Sequence, residues 1–404
     1  MINTKLILID GLPGSGKSSI AHYITRQLEK NGIKFKMFNE IDRDHPLDHD
    51  YDIGDEIEFM NEYLKQYPVQ WKEFVEMVKS DDCIYVIESY LYQKILCSLL
   101  FYDFERQILK DFSHELCSSS ICLNLVIIHL KQLDVGTAMR NNFQLRGTAW
   151  EKWFVELPDR ISFCKNRNIS GESGSIEYFQ EFGNISNELY DESELKKIQI
   201  DVSQGDWDEY RKQILDFLEI PLINEVLYEK SFEKYCGNYT GIEIHSKDDQ
   251  LYIDTFWTNM KLIPLEANKF QIEGFPVIIE FIQNENDKIT LMKIIKSLYF
   301  FKAGVEYLKI IPPKLEKFCG DYWCESDQVD VKIFLKDDKL YYSKTNAIKL
   351  QLIPKGNNMF ALRAYSINSI EFEFVDGEYQ YTFDVKGDNP SNSLFVKKSE
   401  KVNV

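Results

Sequence analysis

GLPGSGKS, residues 11–18, is the stretch that decides how the first half of this sequence folds. The eight residues match the pattern GxxxxGK[ST] in full. An apolar run from Lys5 to Asp10 precedes them and predicts a strand, while apolar residues at helical spacing predict a helix from Lys17 to Lys30. Strand, glycine-rich loop and helix in this order are the context in which the pattern binds phosphate.

The chemistry of this loop follows from its glycines and from the helix behind it. Backbone N–H groups can turn inward around phosphate oxygens, and the positive end of the helix dipole adds to the attraction. Lys17 is expected to neutralise β- and γ-phosphate charge, and the Ser18 hydroxyl to ligate Mg²⁺, so the predicted cofactors are ATP and Mg²⁺. The predicted nucleotide-binding residues of the loop are Gly11, Pro13, Gly14, Ser15, Gly16, Lys17, Ser18 and Ser19.

Strand and helix patterns alternate through residues 1–221. Long helical patterns, notably Tyr90–Leu116 and Asp206–Leu218, separate the apolar runs. Four more runs predict strands: Ile33–Phe38, Cys83–Ile87, Cys122–Leu130 and Lys197–Val202. This alternation predicts an α/β domain with a parallel five-stranded sheet and helices on both faces.

The sequence changes character after Pro221, where short aromatic and β-branched runs alternate with Asn, Asp and Gly. This texture is typical of all-β structure. It also repeats, because FEKYCGNY at 232–239 recurs as LEKFCGDY at 315–322. The repeat predicts two related, small barrel-like β-modules, 232–314 and 315–404, after a linker at 222–231.

A helical pattern can also be drawn from Lys296 to Leu308, between the two modules. A period of two fits its first half nearly as well.

Charge and composition limit the kinds of molecule that the protein is expected to bind. The chain has 47 basic and 65 acidic residues, a net charge of -18, which disfavours an extended nucleic-acid track or an anionic membrane surface. No apolar run approaches the roughly 20 residues of a membrane span, and no secretory leader precedes the first strand, so we expect a cytoplasmic protein. The expected partners are a small-molecule acceptor and, through the β-modules, a second copy of the chain or another protein.

Residues 1–220 resemble the small P-loop kinases, a group that includes thymidylate kinases, deoxynucleoside kinases and chloramphenicol-phosphotransferase-like enzymes. The likeness rests on the phosphate loop and on the acidic, His-Pro-containing segment Glu40-Ile-Asp42-Arg-Asp-His45-Pro46-Leu-Asp48. That segment is similar to one found in bacterial P-loop proteins, many without an assigned substrate. The resemblance implies an ATP-dependent phosphotransferase acting on a hydroxyl or phosphate of a nucleoside, nucleotide or antibiotic-like molecule.

In the resembling kinases, an acidic residue at the end of the second or third strand handles the proton of the acceptor hydroxyl. Glu40 and Asp42 follow the second predicted strand, and Glu88 closes the third. Glu88 is also expected to approach Ser18 and to help hold the metal. The structural alternatives are a solvated strand end for Glu88 and exposed loop charges for the other two.

The resemblance also implies lid arginines after the fourth strand, where Arg140 and Arg146 stand. Guanidinium groups suit this role because they spread phosphoryl charge in the transition state. Arg160 and Arg167 lie in the same region and are alternatives. Each of the four taken singly is expected to be a surface residue, yet at least one of them is expected to reach the phosphates.

Two other groups border the predicted site. The loop after the fifth strand, with Ser203 and Gly205, occupies the place where related kinases contact the base, and Trp207 is expected in the core. Tyr90 and Tyr92 follow Glu88, where core packing is favoured over stacking on a substrate.

Two other functions stay open. One is an NTP-binding switch or NTPase whose C-terminal modules, which resemble lipocalin-like β-barrel appendages, mediate protein interaction. The other is a polynucleotide end kinase, which the acidic charge disfavours.

Overall fold

The computed structural model describes residues 3–40, 45–47, 56–146, 148–224, 232–255, 259–275, 277–296, 303–310, 314–344, 348–356, 358–362, 365–375, 378–385 and 391–398. The chain divides into two compact units. The first comprises Met1–Gln144, Thr148–Val226 and Glu273–Pro276, and the second comprises Leu145–Gly147, Leu227–Ile272 and Val277–Val404.

The first unit is built on a five-stranded sheet in which every strand is parallel to its neighbours, as predicted. The spatial order is β2-β3-β1-β4-β5. The strands are β1 (Leu6–Gly11), β2 (Phe35–Phe38), β3 (Ile84–Glu88), β4 (Val126–Lys131) and β5 (Lys196–Asp201). All residues of β1 and β3 are buried, which is typical of a parallel sheet covered on both faces.

Helices cover the two faces of this sheet with separate apolar clusters. α1 and α9 pack on one face around Ile20, Ile24 and Ile214, and the other face carries a larger cluster around Trp71 and Phe182. The helices are α1 (Lys17–Lys30), α2 (Glu56–Ser80), α3 (Gln93–Phe101), α4 (Arg106–Ser119), α5 (Val135–Arg146), α6 (Thr148–Glu156), α7 (Ser162–Arg167), α8 (Gly171–Glu192) and α9 (Trp207–Leu218). Across the described ranges, no helix has both the length and the apolar content needed to cross a bilayer.

The predicted helix Tyr90–Leu116 is interrupted. α3 ends at Phe101 and α4 begins at Arg106, because Asp103 between them has a left-handed backbone with φ of 61°. A continuous helix cannot contain that conformation.

The second unit contains two closed, eight-stranded antiparallel barrels, which confirms the predicted pair of β-modules. The first consists of β6 (Gly237–Tyr239), β7 (Ile242–Lys247), β8 (Gln250–Asp254), β9 (Met260–Glu266), β10 (Lys269–Ile272), β11 (Ile278–Gln283), β12 (Ile289–Lys296) and β13 (Glu306–Ile310). The second consists of β14 (Gly320–Cys324), β15 (Val329–Lys336), β16 (Lys339–Lys344), β17 (Ile348–Pro354), β18 (Met359–Leu362), β19 (Tyr365–Val375), β20 (Glu378–Val385) and β21 (Ser391–Lys397). The helix drawn over Lys296–Leu308 is wrong at both of its described ends, because Lys296 belongs to β12 and the last residues belong to β13.

The sequence repeat encodes one structural device in each barrel. The Tyr239 hydroxyl donates a 2.7 Å hydrogen bond to the Tyr235 carbonyl, and the Tyr322 hydroxyl donates a 2.9 Å bond to the Phe318 carbonyl. In both barrels this bond ties the first strand to the short 3₁₀ turn before it. The phenol groups are therefore buried at no loss of hydrogen bonding.

Candidate functional site

The phosphate loop lies between the end of β1 and the start of α1. Two of its positions require glycine, both because their backbone has positive φ and because neighbouring side chains leave no room for a Cβ. Gly14 and Gly16 have φ of 79° and 89°. A Cβ on Gly14 would lie 2.2 Å from the Asn142 side-chain amide, and one on Gly16 would lie 2.4 Å from the Trp207 ring. No side chain fits at either position, so the loop keeps its amides close to whatever it binds.

Lys17 is folded over this loop. Its side chain is only 6% exposed, and its ammonium group donates a 3.0 Å hydrogen bond to the Leu12 carbonyl. The Ser15 hydroxyl is also buried, and it has no hydrogen-bond partner within the described part of the chain. A buried ammonium and a hydroxyl without a described partner, in a loop whose Gly14 and Gly16 leave no room for side chains, fit the phosphates of a nucleotide.

Glu88 lies beside Ser18, at the carboxyl end of the strand next to β1. The register pairs Ile9 with Glu88, and this brings the carboxylate within reach of the first turn of α1. Glu88 Oε1 accepts hydrogen bonds from Ser18 Oγ at 3.0 Å and from the Glu40 amide at 3.4 Å. A hydroxyl and a carboxylate in contact are oxygen ligands of the kind that Mg²⁺ prefers.

Burial dominates the electrostatics of Glu88. The side chain is 4% exposed, and desolvation raises its pKa to about 7, against the opposing effects of the Lys17 charge and the Ser18 hydrogen bond. Glu88 Oε2 has no hydrogen-bond partner among the described residues. A divalent cation here would compensate both the buried charge and the unused oxygen.

Asp10 connects the loop to α3, and sequence analysis did not single it out. Its carboxylate accepts hydrogen bonds from the amides of Gly11 at 2.9 Å, Tyr92 at 2.7 Å and Gln93 at 2.9 Å. It therefore caps α3 and fixes the first residue of the loop. The available signal was an acid at the end of an otherwise apolar strand, directly before Gly11.

Asp10→Asn is expected to flatten the pH dependence of folding stability. Burial raises the pKa of Asp10 from 3.8 to about 6, so the stability that protonated Asp10 contributes is fully present below pH 4 and is lost as the pH rises through 6. Between pH 4 and pH 7, the unfolding free energy of the wild type should therefore fall by about 3 kcal/mol more than that of the variant. Urea titrations at each pH measure these free energies. Asp111→Asn, at an exposed carboxylate of α4, should follow the wild type. Parallel curves for Asp10→Asn and wild type would contradict the assignment.

Glu40 is joined to the same site through α3. Its two carboxylate oxygens accept hydrogen bonds from Gln93 Nε2 at 3.2 and 3.1 Å, while the Gln93 backbone binds Asp10. The structure thus brings Glu40 and Glu88, two of the three predicted acids, into contact, with Glu88 also bonded to Ser18. The third, Asp42, lies outside the described residues.

Three of the four candidate lid arginines pair with carboxylates of the protein. Arg140 Nε donates to Glu172 at 2.7 Å, Arg167 pairs with Asp103 at 2.6 Å, and Arg160 approaches Glu156 at 3.7 Å. Arg146 is the last residue of α5, and its side chain lies outside the described part.

Asn142, which sequence analysis missed, is an α5 residue that contacts the phosphate loop. Its Nδ2 donates a 3.2 Å hydrogen bond to the Pro13 carbonyl, and its side chain is 4% exposed. Because 129 residues separate the two partners, no local pattern could have indicated the contact.

The loop after β5 meets the loop after β4. Ser203 Oγ accepts a 3.0 Å hydrogen bond from the Leu133 amide, so its hydroxyl is used within the protein. Trp207 packs in the apolar cluster of α1 and α9, as expected, and its ring also covers Gly16. An aromatic side chain therefore borders the phosphate loop at the helix start.

Tyr90 and His45 form a stacked pair near Glu88. Their ring centroids are 3.5 Å apart and the rings are 5° from parallel. His45 Nδ1 accepts a 3.1 Å hydrogen bond from the Leu47 amide, and burial lowers the pKa of the imidazole to about 3, so the ring is neutral. Tyr90 and Tyr92 are both buried, which agrees with core packing.

The strand order β2-β3-β1-β4-β5, with a phosphate loop after the central β1 and an acid after β3, defines the architecture of the first unit. This unit has a P-loop kinase-like fold. No protein-family model and no curated protein matches the chain.

Two solved structures are similar to the chain over the kinase-like part. The YorR protein from Bacillus subtilis, solved in complex with phosphorylated GDP, is 12% identical with a TM-score of 0.30, over 53% of this chain and 95% of that one. Thymidylate kinase from Candida albicans is 16% identical with a TM-score of 0.30, over 55% of this chain and 96% of that one. At these values the two likenesses do not bear on substrate or activity.

Proposed function

We propose that this protein is an ATP-dependent phosphotransferase that moves the γ-phosphoryl group to a hydroxyl or phosphate of a small molecule. The observation that carries the proposal is the 3.0 Å contact between Ser18 Oγ and Glu88 Oε1, directly after a glycine loop that holds a buried Lys17. Phosphate loop, hydroxyl and strand-end acid are the parts that phosphoryl transfer requires.

In this mechanism the protein mainly positions groups and neutralises charge. Loop amides and Lys17 hold the β- and γ-phosphates, with the Lys17 ammonium exchanging its Leu12 carbonyl for phosphate oxygen. Ser18 and Glu88 would hold Mg²⁺, which supplies further neutralisation of phosphate charge when bound.

The two acids take different parts. Glu88 accepts a hydrogen bond from Ser18, whereas the Glu40 carboxylate accepts only from the neutral side-chain amide of Gln93 among the described residues. We therefore assign the proton transfer to Glu40. A new bond forms between the acceptor oxygen and γ-phosphorus, the bond from γ-phosphorus to the bridging oxygen breaks, and the acceptor's proton passes to Glu40. ADP leaves with the bridging oxygen.

The test is whether ATP consumption depends on an acceptor. Purified protein with ATP and Mg²⁺ should form ADP near the background rate alone, and at a saturable, faster rate when a hydroxyl-bearing acceptor is added. Labelled γ-phosphate should appear on the acceptor. Fast release of inorganic phosphate that no acceptor changes would instead identify an NTPase.

A further inference from the structure

The phosphate loop contains a tight turn at residues 12–15. The Ser15 amide donates a 3.1 Å hydrogen bond to the Leu12 carbonyl, so Pro13 and Gly14 are the two central residues. Proline at the first central position excludes the turn types that need positive φ there. At the second central position a type I turn has φ of about −90° and a type II turn about +80°. Gly14 has φ of 79°, so the turn is of type II.

Types I and II differ in the direction of one peptide group, the one between the two central residues. Turning this group by about half a revolution converts one type into the other and keeps the hydrogen bond that closes the turn. Here the group consists of the Pro13 carbonyl and the Gly14 N–H, which point in opposite directions because the peptide is planar and trans. Gly14 can adopt φ of either sign, so both types are open to this sequence. The two types present the Gly14 N–H to opposite sides of the loop.

The direction of this N–H matters because several amides of the loop are already used. The Gly11 amide donates to the Asp10 carboxylate, and the Ser15 amide closes the turn. Pro13 has no N–H. The Gly14 N–H has no hydrogen-bond partner within the described ranges. It is therefore a backbone donor that the protein leaves for a phosphate oxygen.

Asn142 of α5 holds the other end of the same peptide group. Its Nδ2 donates a 3.2 Å hydrogen bond to the Pro13 carbonyl, and its side chain is 4% exposed. A Cβ on Gly14 would lie 2.2 Å from the Asn142 amide, so this side chain fills the α5 side of the turn and closes it to a ligand. Because the carbonyl points to Asn142, the Gly14 N–H points away from α5.

We propose that Asn142 is a positioning residue for phosphate binding. Its hydrogen bond to the Pro13 carbonyl keeps the turn in the type II form, in which the Gly14 N–H is presented to the phosphates of the nucleotide. This inference rests on the proposed function, because it takes the loop as the phosphate site, and it adds a residue of α5 to that site.

The Gly14 amide can be observed on its own in the full chain. Pro13 and Gly14 form the only Pro-Gly pair in the sequence. Proline labelled with ¹³C at the carbonyl and glycine labelled with ¹⁵N therefore give a single cross-peak in a carbonyl-to-amide correlation spectrum. In the wild type this peak should move downfield when inorganic triphosphate and Mg²⁺ are added, because the N–H then donates to a phosphate oxygen. No transfer reaction is needed for this measurement.

Two substitutions at Asn142 change the turn in defined ways. Asn142→Leu removes the donor at similar volume, so the peptide group is free to turn over. The dissociation constants of inorganic triphosphate and of a non-hydrolysable ATP analogue should rise about tenfold, by calorimetry. Asn142→Asp keeps the shape but only accepts, so it favours the reversed peptide, whose Gly14 N–H faces the carboxylate. Its Gly14 peak should differ from that of the wild type without ligand and should not respond to triphosphate.

Asn141→Leu is the matched control, because Asn141 is the neighbouring residue of α5 and is exposed. Its Gly14 peak and its affinities should be those of the wild type. A Gly14 peak that lies and responds as in the wild type in both Asn142 variants overturns the inference, whatever the affinities, and so does a wild-type peak that triphosphate does not move. If the Asn142 variants behave as expected but ATP phosphorylates no acceptor, the inference stands and the proposed function is refuted.

Discussion

Lys17→Ala is expected to reduce kcat/KM for phosphoryl transfer by on the order of 10²–10³ and to weaken the binding of Mg²⁺–ATP. The ammonium group is buried within the phosphate loop, and water cannot replace its charge there. Folding should survive, because the hydrogen bond that the ammonium group loses is to a neutral carbonyl, and the buried carboxylates of Asp10 and Glu88, whose pKa values the Lys17 charge lowers, should be protonated more readily in the variant. Transfer is measured with labelled ATP, and nucleotide affinity by calorimetry.

Lys30→Ala provides the control for this substitution. Lys30 ends the same helix and is exposed, with a 3.4 Å hydrogen bond to the Ile223 carbonyl. The Lys30→Ala variant should transfer phosphate at the wild-type rate. If Lys17→Ala binds and uses ATP as the wild type does, the loop is not the phosphate site and the proposed function fails with it.

Glu88→Gln is expected to lower kcat by on the order of 10²–10³ while changing nucleotide affinity much less. The amide preserves the shape of the side chain and still accepts from Ser18, but it removes the negative charge that would hold Mg²⁺. The variant should need a higher Mg²⁺ concentration for half-maximal activity. Mg²⁺ titrations of the transfer rate give this value directly.

Stability should move in the opposite direction to activity. Because burial raises the pKa of Glu88, the ionised carboxylate destabilises the metal-free protein above neutral pH. Glu88→Gln should therefore unfold at a higher temperature than the wild type at pH 8 in the presence of a chelator. Glu115→Gln, an exposed carboxylate paired with Lys72 at 2.9 Å, should change neither activity nor stability. Equal Mg²⁺ dependence in Glu88→Gln and wild type would exclude the carboxylate from the metal site.

The sequence predicted those parts of the site that depend on local pattern or on regular pairing. The loop and the helix Lys17–Lys30 follow from eight residues and a helical period. The closeness of Glu88 and Ser18 follows from parallel strands that end at one edge of the sheet. Both features depend on residues that are close in sequence or that are paired regularly in the β-sheet.

Contacts between distant segments could not be predicted in this way. Asn142 and Trp207 close over Gly14 and Gly16 from helices far along the chain, and Asp10 reaches α3 through backbone amides that carry no side-chain signature. The break at Asp103 was missed because helical spacing of apolar residues continues on both sides of it. Such features are set by packing, which a period in the sequence does not record.

The two barrels were predictable because the same sequence pattern occurs twice in the chain, once in each barrel. Pairs of aspartates at 248–249 and 337–338 both have positive φ, which is the geometry of a tight two-residue hairpin turn. The matching positions in the two copies therefore specify the same turn and the same strand register.

The last strand of the second barrel closes it by pairing on both sides. β21 pairs with β20 on one side and with β14 on the other, so a chain lacking it would expose two unpaired strand edges at once. Edges of that kind recruit strands from other molecules. Shortening the protein before Ser391 would accordingly produce a self-associating species, whatever happens to the nucleotide-binding half.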